Sequence, residues 1–253
     1  MRNNTGFTLV EIAIVIVIIG LLIGGVMKGQ ELIRSSAISA YISQLKEVET
    51  AVRFFKNKYG VLPGDMTNPD TLLPGCDGTA GCDQVGDGNT KINGAGDASI
   101  FQVGAGGGPI ASTGDERVFA WSHLAAAGLV GGVNIDSTTI RAGEAIPAAK
   151  INNTMMFLGW ANVVGAGLSY DMPLGTYLIS VPSVDLTDSG RLALLSGGEI
   201  AQMDRKIDDG NARTGVIVEA LANTNCRTAT GGDEYLETRG NPTCNFFFRL
   251  GLN

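Results

Sequence analysis

Residues 6–27 read GFTLVEIAIVIVIIGLLIGGVM, an apolar run interrupted by one charge, Glu11. Roughly 20 apolar residues rising about 1.5 Å each are long enough to cross a ~30 Å hydrocarbon layer as one helix. A cleavable secretory signal fits poorly, because its apolar stretch is about 7 to 15 residues long and closes on a small-residue site. Here the nearest such site, around Ala37 to Ala40, lies beyond Lys28, Glu31 and Arg34. An ordinary single-span anchor explains the length and leaves Glu11 unexplained. An acidic residue at the centre of a span costs roughly 2.5 to 3.5 kcal/mol, less toward the membrane edge. Glu11 therefore has either a partner or a water-accessible edge position.

Ahead of the run stands a short polar leader, Met1 to Gly6, with Arg2 as its charged side chain. The hexapeptide GFTLVE, Gly6 to Glu11, resembles the processing site of type IV prepilins and type II secretion pseudopilins. The resemblance implies that a prepilin peptidase and methyltransferase cuts after Gly6 and methylates the new amine of Phe7. It also implies that Glu11 is the glutamate used in assembly. The partners it implies are further copies of the chain in a helical filament, the assembly machinery of the inner membrane, and the lipid bilayer that holds the subunit beforehand. The physical sense is separable from the resemblance. Cleavage creates an α-amine with a reference pKa of about 8, largely protonated at neutral pH. Glu11 lies one helical turn away and can meet that amine in its own chain or, as the family resemblance implies, in a neighbour. Pairing between chains is favourable only in the correct stagger, which makes the charge a register device.

Beyond Lys28, the residues Ile38, Tyr41, Leu45, Val48, Val52, Phe55 and Tyr59 recur at steps of three and four, the signature of one apolar helix face. No proline occurs from Phe7 to Val61. A single helix from Phe7 to about Tyr59, close to ~80 Å long, is expected. Its first half would lie in lipid and later among neighbouring first halves. The stripe on its second half packs either on the chain's own globular part or in a parallel two-stranded coiled coil. Gly20, Gly24, Gly25 and Gly29 fall mid-helix, at roughly 1 kcal/mol each against alanine. They read either as small-xxx-small pairs for close helix contact in lipid or, as the resemblance implies, as a stretch that loosens when the subunit enters a filament. The helix-breaking proline that many type IV pilins carry here is missing.

The net charge of -7, without any Lys/Arg cluster, argues against a sequence-independent grip on nucleic acid. The cysteines fall into two local pairs among turn residues. Proximity favours the disulfides Cys76–Cys82 and Cys226–Cys244, and hence an oxidising compartment. A zinc site would need a CxxC pattern or histidine partners, and His123 is the only histidine.

Gly60 to Gly114 is rich in turn residues. Its opening YGVLPGDM, the later Glu116, Trp121, His123, Leu124 and Ala127 to Leu129, and DRKIDDGNARTG at 204–215 resemble a subset of prepilin-type proteins. Asp115 as N-cap and Gly128 as C-cap bound a short helix. His123 on it reads as a packing or hydrogen-bonding residue, since no nucleophile motif accompanies it. Asp83, Asp87, Asn89, Asn93 and Asp97 offer oxygen ligands for calcium, against the alternative of a solvated turn cluster. Lys91 stands where the EF-hand pattern has an oxygen side chain. No other cofactor is expected. Runs of β-branched and aromatic residues predict strands at Met155–Val164, Thr176–Pro182, Thr214–Leu221 and Asn245–Leu250. Ser196 and Glu199 form a capping-box pattern that opens a helix through Ile200, Met203 and Ile207, ending at Asp208-Asp209-Gly210. Adjacent aspartates do not face one another, so that pair reads as a helix stop rather than an acid–base couple.

The sequence thus predicts an α+β protein of type IV pilin-like fold. Residues 1–6 are a leader, 7–27 the membrane-spanning and assembly part of a long helix, 28–59 its amphipathic half, and 60–253 a globular domain with a mainly antiparallel sheet. The Cys226–Cys244 bridge resembles the disulfide-bounded surface loop of type IV pilins. The expected role is structural and not enzymatic: a single-pass inner-membrane subunit polymerised into an extracellular pilus, or into a periplasmic pseudopilus as a secretion pseudopilin or minor pilin. The alternative from another class is a non-polymerising, membrane-tethered binding domain.

Overall fold

The computed structural model describes residues 8–78, 81–93, 115–137, 139–151, 154–161, 174–181, 195–219, 226–228, 234–238, 244 and 246–252. Helix α1, Leu9–Tyr59, runs unbroken for 51 residues, about 77 Å at ~1.5 Å per residue. Its C-terminus is closed by Gly60, at φ 77, whose amide returns to the Lys56 carbonyl. Lys56 and Lys58 in the last turn suit the negative end of the helix dipole.

The two halves of α1 differ in what surrounds them. Every residue from Thr8 to Lys28 is exposed. From Ile38 onward one face is buried, through Tyr41, Leu45, Val48, Val52 and Phe55 as the periodicity predicts, joined by Ile42 and Ala51. Tyr59 is only partly covered. A coiled coil through this stripe is overturned, because the chain's own domain already occupies it. The Tyr41 hydroxyl hydrogen-bonds Ser180, and its ring meets Phe246 edge-on at 6.0 Å. Phe55 stacks on the His123 ring at 6.5 Å.

Polar side chains along the flanks fix the helix in place. Gln44 donates to the Ala148 carbonyl at 2.9 Å and accepts the Lys150 amide at 2.7 Å. Near the far end Lys56 donates to the Leu252 carbonyl at 2.7 Å, and Glu49 accepts the Gly251 amide at 3.1 Å.

A short helix α2, Pro69–Leu72, precedes α3, Glu116–Ala126. Asp115 caps α3 by accepting the Arg117 amide at 3.0 Å. Its C-terminus carries paired bonds from the Gly128 amide to the Ala125 carbonyl, 2.9 Å, and from the Leu129 amide to the Leu124 carbonyl, 3.0 Å. That geometry needs a left-handed residue, supplied by Gly128 at φ 72. Glu116 to Leu124 are all buried, and α3 packs on the first strand.

Strands β1 (Met155–Ala161), β2 (Gly175–Val181), β3 (Ile217–Val218) and β4 (Phe247–Arg249) form an antiparallel sheet in the order β1-β2-β4-β3. Phe157 pairs with Ile179, Ile179 with Phe247, and Phe247 with Val218. Met155 to Leu158 are buried without alternation, so both faces of β1 are covered. Helix α4, Gly197–Ile207, opens with the Ser196/Glu199 capping box. A Cβ on Gly197 would stand 2.5 Å from the Leu236 carbonyl oxygen, so only glycine admits this approach.

The expected strand at Thr214–Leu221 is reduced to Ile217–Val218 among the described residues. Asp208 accepts the Val216 amide and Asp209 the Thr214 hydroxyl, which holds 214–216 in a turn. Residues 162–164, Pro182, 220–221 and Asn245 of the predicted strands lie outside the described residues.

Candidate assembly surface

The exposed half of α1 holds an 18-residue window of mean hydropathy 2.9, none of it buried by the chain. Ile14, Ile18, Leu21, Leu22 and Val26 stand open, a surface that water does not favour and that lipid or other helices do. Beyond the helix's own adjacent backbone, Gly20, Gly24, Gly25 and Gly29 have no atom of the chain within 4 Å of where a Cβ would sit. The backbone there is free to be approached closely by another helix. Lys28 and Glu31 pair at 2.7 Å just past the apolar run. Beyond them Arg34 bonds Glu199 at 2.6 Å and Lys206 bonds Ser39 at 3.0 Å. The helix therefore leaves the domain at about Arg34.

At the tip, Thr8 and Glu11 form a capping box. The Thr8 hydroxyl accepts the Glu11 amide at 3.3 Å, while Glu11 Oε2 accepts both the Thr8 amide and the Thr8 hydroxyl at 2.8 Å. The carboxylate folds back over the helix N-terminus, where donors are otherwise unsatisfied and the dipole favours negative charge. Gly6 and Phe7 lie outside the described residues. Residues 1–27 match the prokaryotic N-terminal methylation motif. This is the prepilin-type signature of type IV pilins and pseudopilins. No curated protein and no solved structure matches the chain. The prepilin signature ends at Met27, beside the charged pair that closes the apolar run. Together with the α+β architecture behind it, it fits a pilin-like or pseudopilin subunit.

Behind the prepilin signature, the structure pairs Cys76 with Cys82 and Cys226 with Cys244. The second bridge spans 18 residues, a closure contributing about 3 kcal/mol in the chain-entropy view. Cys244 also pairs by backbone with Leu195 at the threshold of α4, so the bridge ties the C-terminal loop to that helix. His123 is fully buried. Its Nδ1 accepts the Gly64 amide at 3.0 Å, so the ring proton sits on Nε2 and is donated to the Gln84 carbonyl at 3.2 Å. Burial pushes its pKa down to about 4. The ring is a staple between α3 and the 60–93 loop.

Of the oxygen-rich loop, Asp87 is brought beside Asp65 and Glu116, whereas Asn89 donates its side-chain amide to Asp87 at 2.8 Å. Asp97 lies outside the described residues. Sequence reading missed Asp65, 51 positions from Glu116, and the fully buried ion pair of Arg227 and Glu219 at 3.1 Å. Neither has a local spacing signal.

Proposed function

We propose that this chain is the structural subunit of a type IV pilus-like filament, stored as a single-pass inner-membrane protein and polymerised through its N-terminal helix. The observation that carries this reading is the division of α1: wholly exposed and apolar from Leu9 to Met27 apart from Glu11, and buried in its own domain from Ile38. One continuous helix thus carries a finished domain at one end and an unfilled packing surface at the other. A prepilin peptidase would cut after Gly6 and methylate Phe7, and the inner-membrane machinery would extract the subunit. The Thr8 bonds reduce the cost of the Glu11 carboxylate while the subunit waits in lipid. They engage Oε2, so Oε1 serves the Phe7 amine of a neighbour. The role is structural rather than catalytic. The disulfide-closed C-terminal loop, similar to that of type IV pilins, favours a surface pilus over a pseudopilus.

Imaging of filaments sheared from cells, with mass spectrometry of their subunit, tests the reading. The expected subunit begins at methylated Phe7. Recovery of the chain only from membranes, with Met1 retained, would return the tethered binding domain.

A further inference from the structure

The 60–93 loop is fastened to the start of α3 through carboxylates. Glu116 accepts the Asp87 amide on Oε1 and the Asn93 amide on Oε2, each at 3.0 Å. Asp65 Oδ2 accepts the Thr90 amide at 2.8 Å. One oxygen from each of Asp65, Asp87 and Glu116 lies within 4.8 Å of the other two. Asp65 is 1% exposed and Glu116 6%, while Asp87 faces solvent. The other oxygen of Asp65, Oδ1, is buried and has no hydrogen-bond partner. A buried acceptor left unmade is costly, and the repulsion of neighbouring carboxylates adds to it.

Either a retained proton or a bound cation relieves such a group. Asp87 opens it to water and ions, and every donor is a hard oxygen, with no histidine or thiolate in the cluster. That chemistry selects against zinc and copper. A loop-borne, partly solvated set also suits the adaptable shell of calcium better than the strict octahedron of magnesium.

We propose that Asp65, Asp87 and Glu116 form a calcium site that clamps the 60–93 loop to α3. The set shares only Asp87 with the ligands suggested by the loop sequence. Asn89 and Asn93 act behind it, donating to Asp87 and Glu116 and so orienting the ligands. The other acidic group, Asp204, Asp208 and Asp209, also holds a buried oxygen without a hydrogen-bond partner, Asp204 Oδ1, but has one buried carboxylate where the first group has two. Asp204 takes the Tyr235 hydroxyl, Asp208 the Val216 amide, and Asp209 the Asn211 amide and Thr214 hydroxyl. It serves as the control.

The test is titration calorimetry and thermal unfolding of the full chain in detergent, stripped with chelator and supplied with calcium chloride. Binding is expected in the range of about 10⁻⁴ to 10⁻³ M typical of extracellular modules, with an unfolding midpoint raised by several degrees. Asp65→Asn and Glu116→Gln should abolish both effects. Asp87→Asn should weaken binding at least about tenfold without lowering the calcium-free midpoint, because its exposed side chain bonds only Asn89 among the described residues and its charge repels the neighbouring carboxylates. Asp209→Asn should bind as wild type. No heat and no midpoint shift at 10-fold the upper concentration, roughly 10 mM, would overturn the site in favour of a retained proton. Undiminished binding by Asp87→Asn, or loss in Asp209→Asn, would overturn it in favour of another location.

Discussion

Arg34 Nε on α1 lies 2.6 Å from Glu199 Oε1 on α4, and Glu199 Oε2 accepts the Ser196 amide and hydroxyl at 2.8 Å each. One carboxylate thus closes the N-terminus of α4 and marks where α1 departs from the domain. Burial pushes the Glu199 pKa up, but the Arg34 guanidinium and the Ser196 bonds together outweigh it and hold the group below its ordinary value. Its contribution is accordingly present at neutral pH and is lost as pH falls through the carboxylate range. The Arg34 side chain is 58% exposed, so Arg34→Ala should cost less than about 1 kcal/mol. Glu199→Ala removes the cap as well and should cost about 1 to 3 kcal/mol. Chemical unfolding of the two variants in detergent checks the order, and equal losses would place the stability in the ion pair instead.

His123 carries a pH prediction that can be read at a single atom, since the chain has one histidine. Its pKa in the fold, about 4, lies below the unfolded value of about 6.5. The ring is therefore neutral when folded, and its share of stability, complete above the unfolded value, is lost as pH falls from about 6.5 toward 4. Asp65 and Glu116 are raised and act in the opposite direction over much of the same range, so a global stability curve would blend the two. The ring nitrogen shifts of His123 separate them. They should report a neutral Nε2–H tautomer down to about pH 5; titration near 6.5 would contradict the buried staple.

The parts legible in the sequence are those written in local spacing. Ser196 and Glu199, three apart, announce α4. Gly128 marks the end of α3, and the three-four rhythm from Ile38 to Phe55 gives the face of α1 that the domain covers. Asp65 with Glu116 and Glu219 with Arg227 were not legible, because each pairing exists only once the loops have closed. The strand expected from Thr214 was shortened by Asp208 and Asp209, whose side chains compete for the backbone and hydroxyl donors of the turn. In the sequence Thr8 belongs to the processing motif GFTLVE, and its second use as a helix cap is visible only in its bonds to Glu11.

The division of α1 predicts opposite consequences for two similar truncations. Leu45→Ala opens the fully buried contact with the domain and should cost about 2 to 5 kcal/mol in unfolding experiments. Leu21→Ala alters a side chain exposed in the single subunit and should leave domain stability within about 0.5 kcal/mol, while lowering filament yield. A stability loss from Leu21→Ala would mean that the first half of α1 packs within its own chain.

The central claim is that Glu11 sets the stagger between subunits, and Glu11→Leu tests it most directly. Leucine removes the cost of a carboxylate in lipid, so the precursor should enter the bilayer at least as readily as wild type. Thr8 would lose the side-chain half of its capping box, with the buried domain untouched. What would disappear under this claim is the proposed acceptor for a neighbour's Phe7 amine, leaving that cation uncompensated among packed helices. The measurement compares membrane abundance, cleavage after Gly6 and sheared filament yield for wild type and Glu11→Leu in the same cells. Normal insertion and cleavage with filament yield reduced at least about tenfold is the predicted result; normal processing with undiminished filaments would contradict the account and make Glu11 a tolerated edge carboxylate.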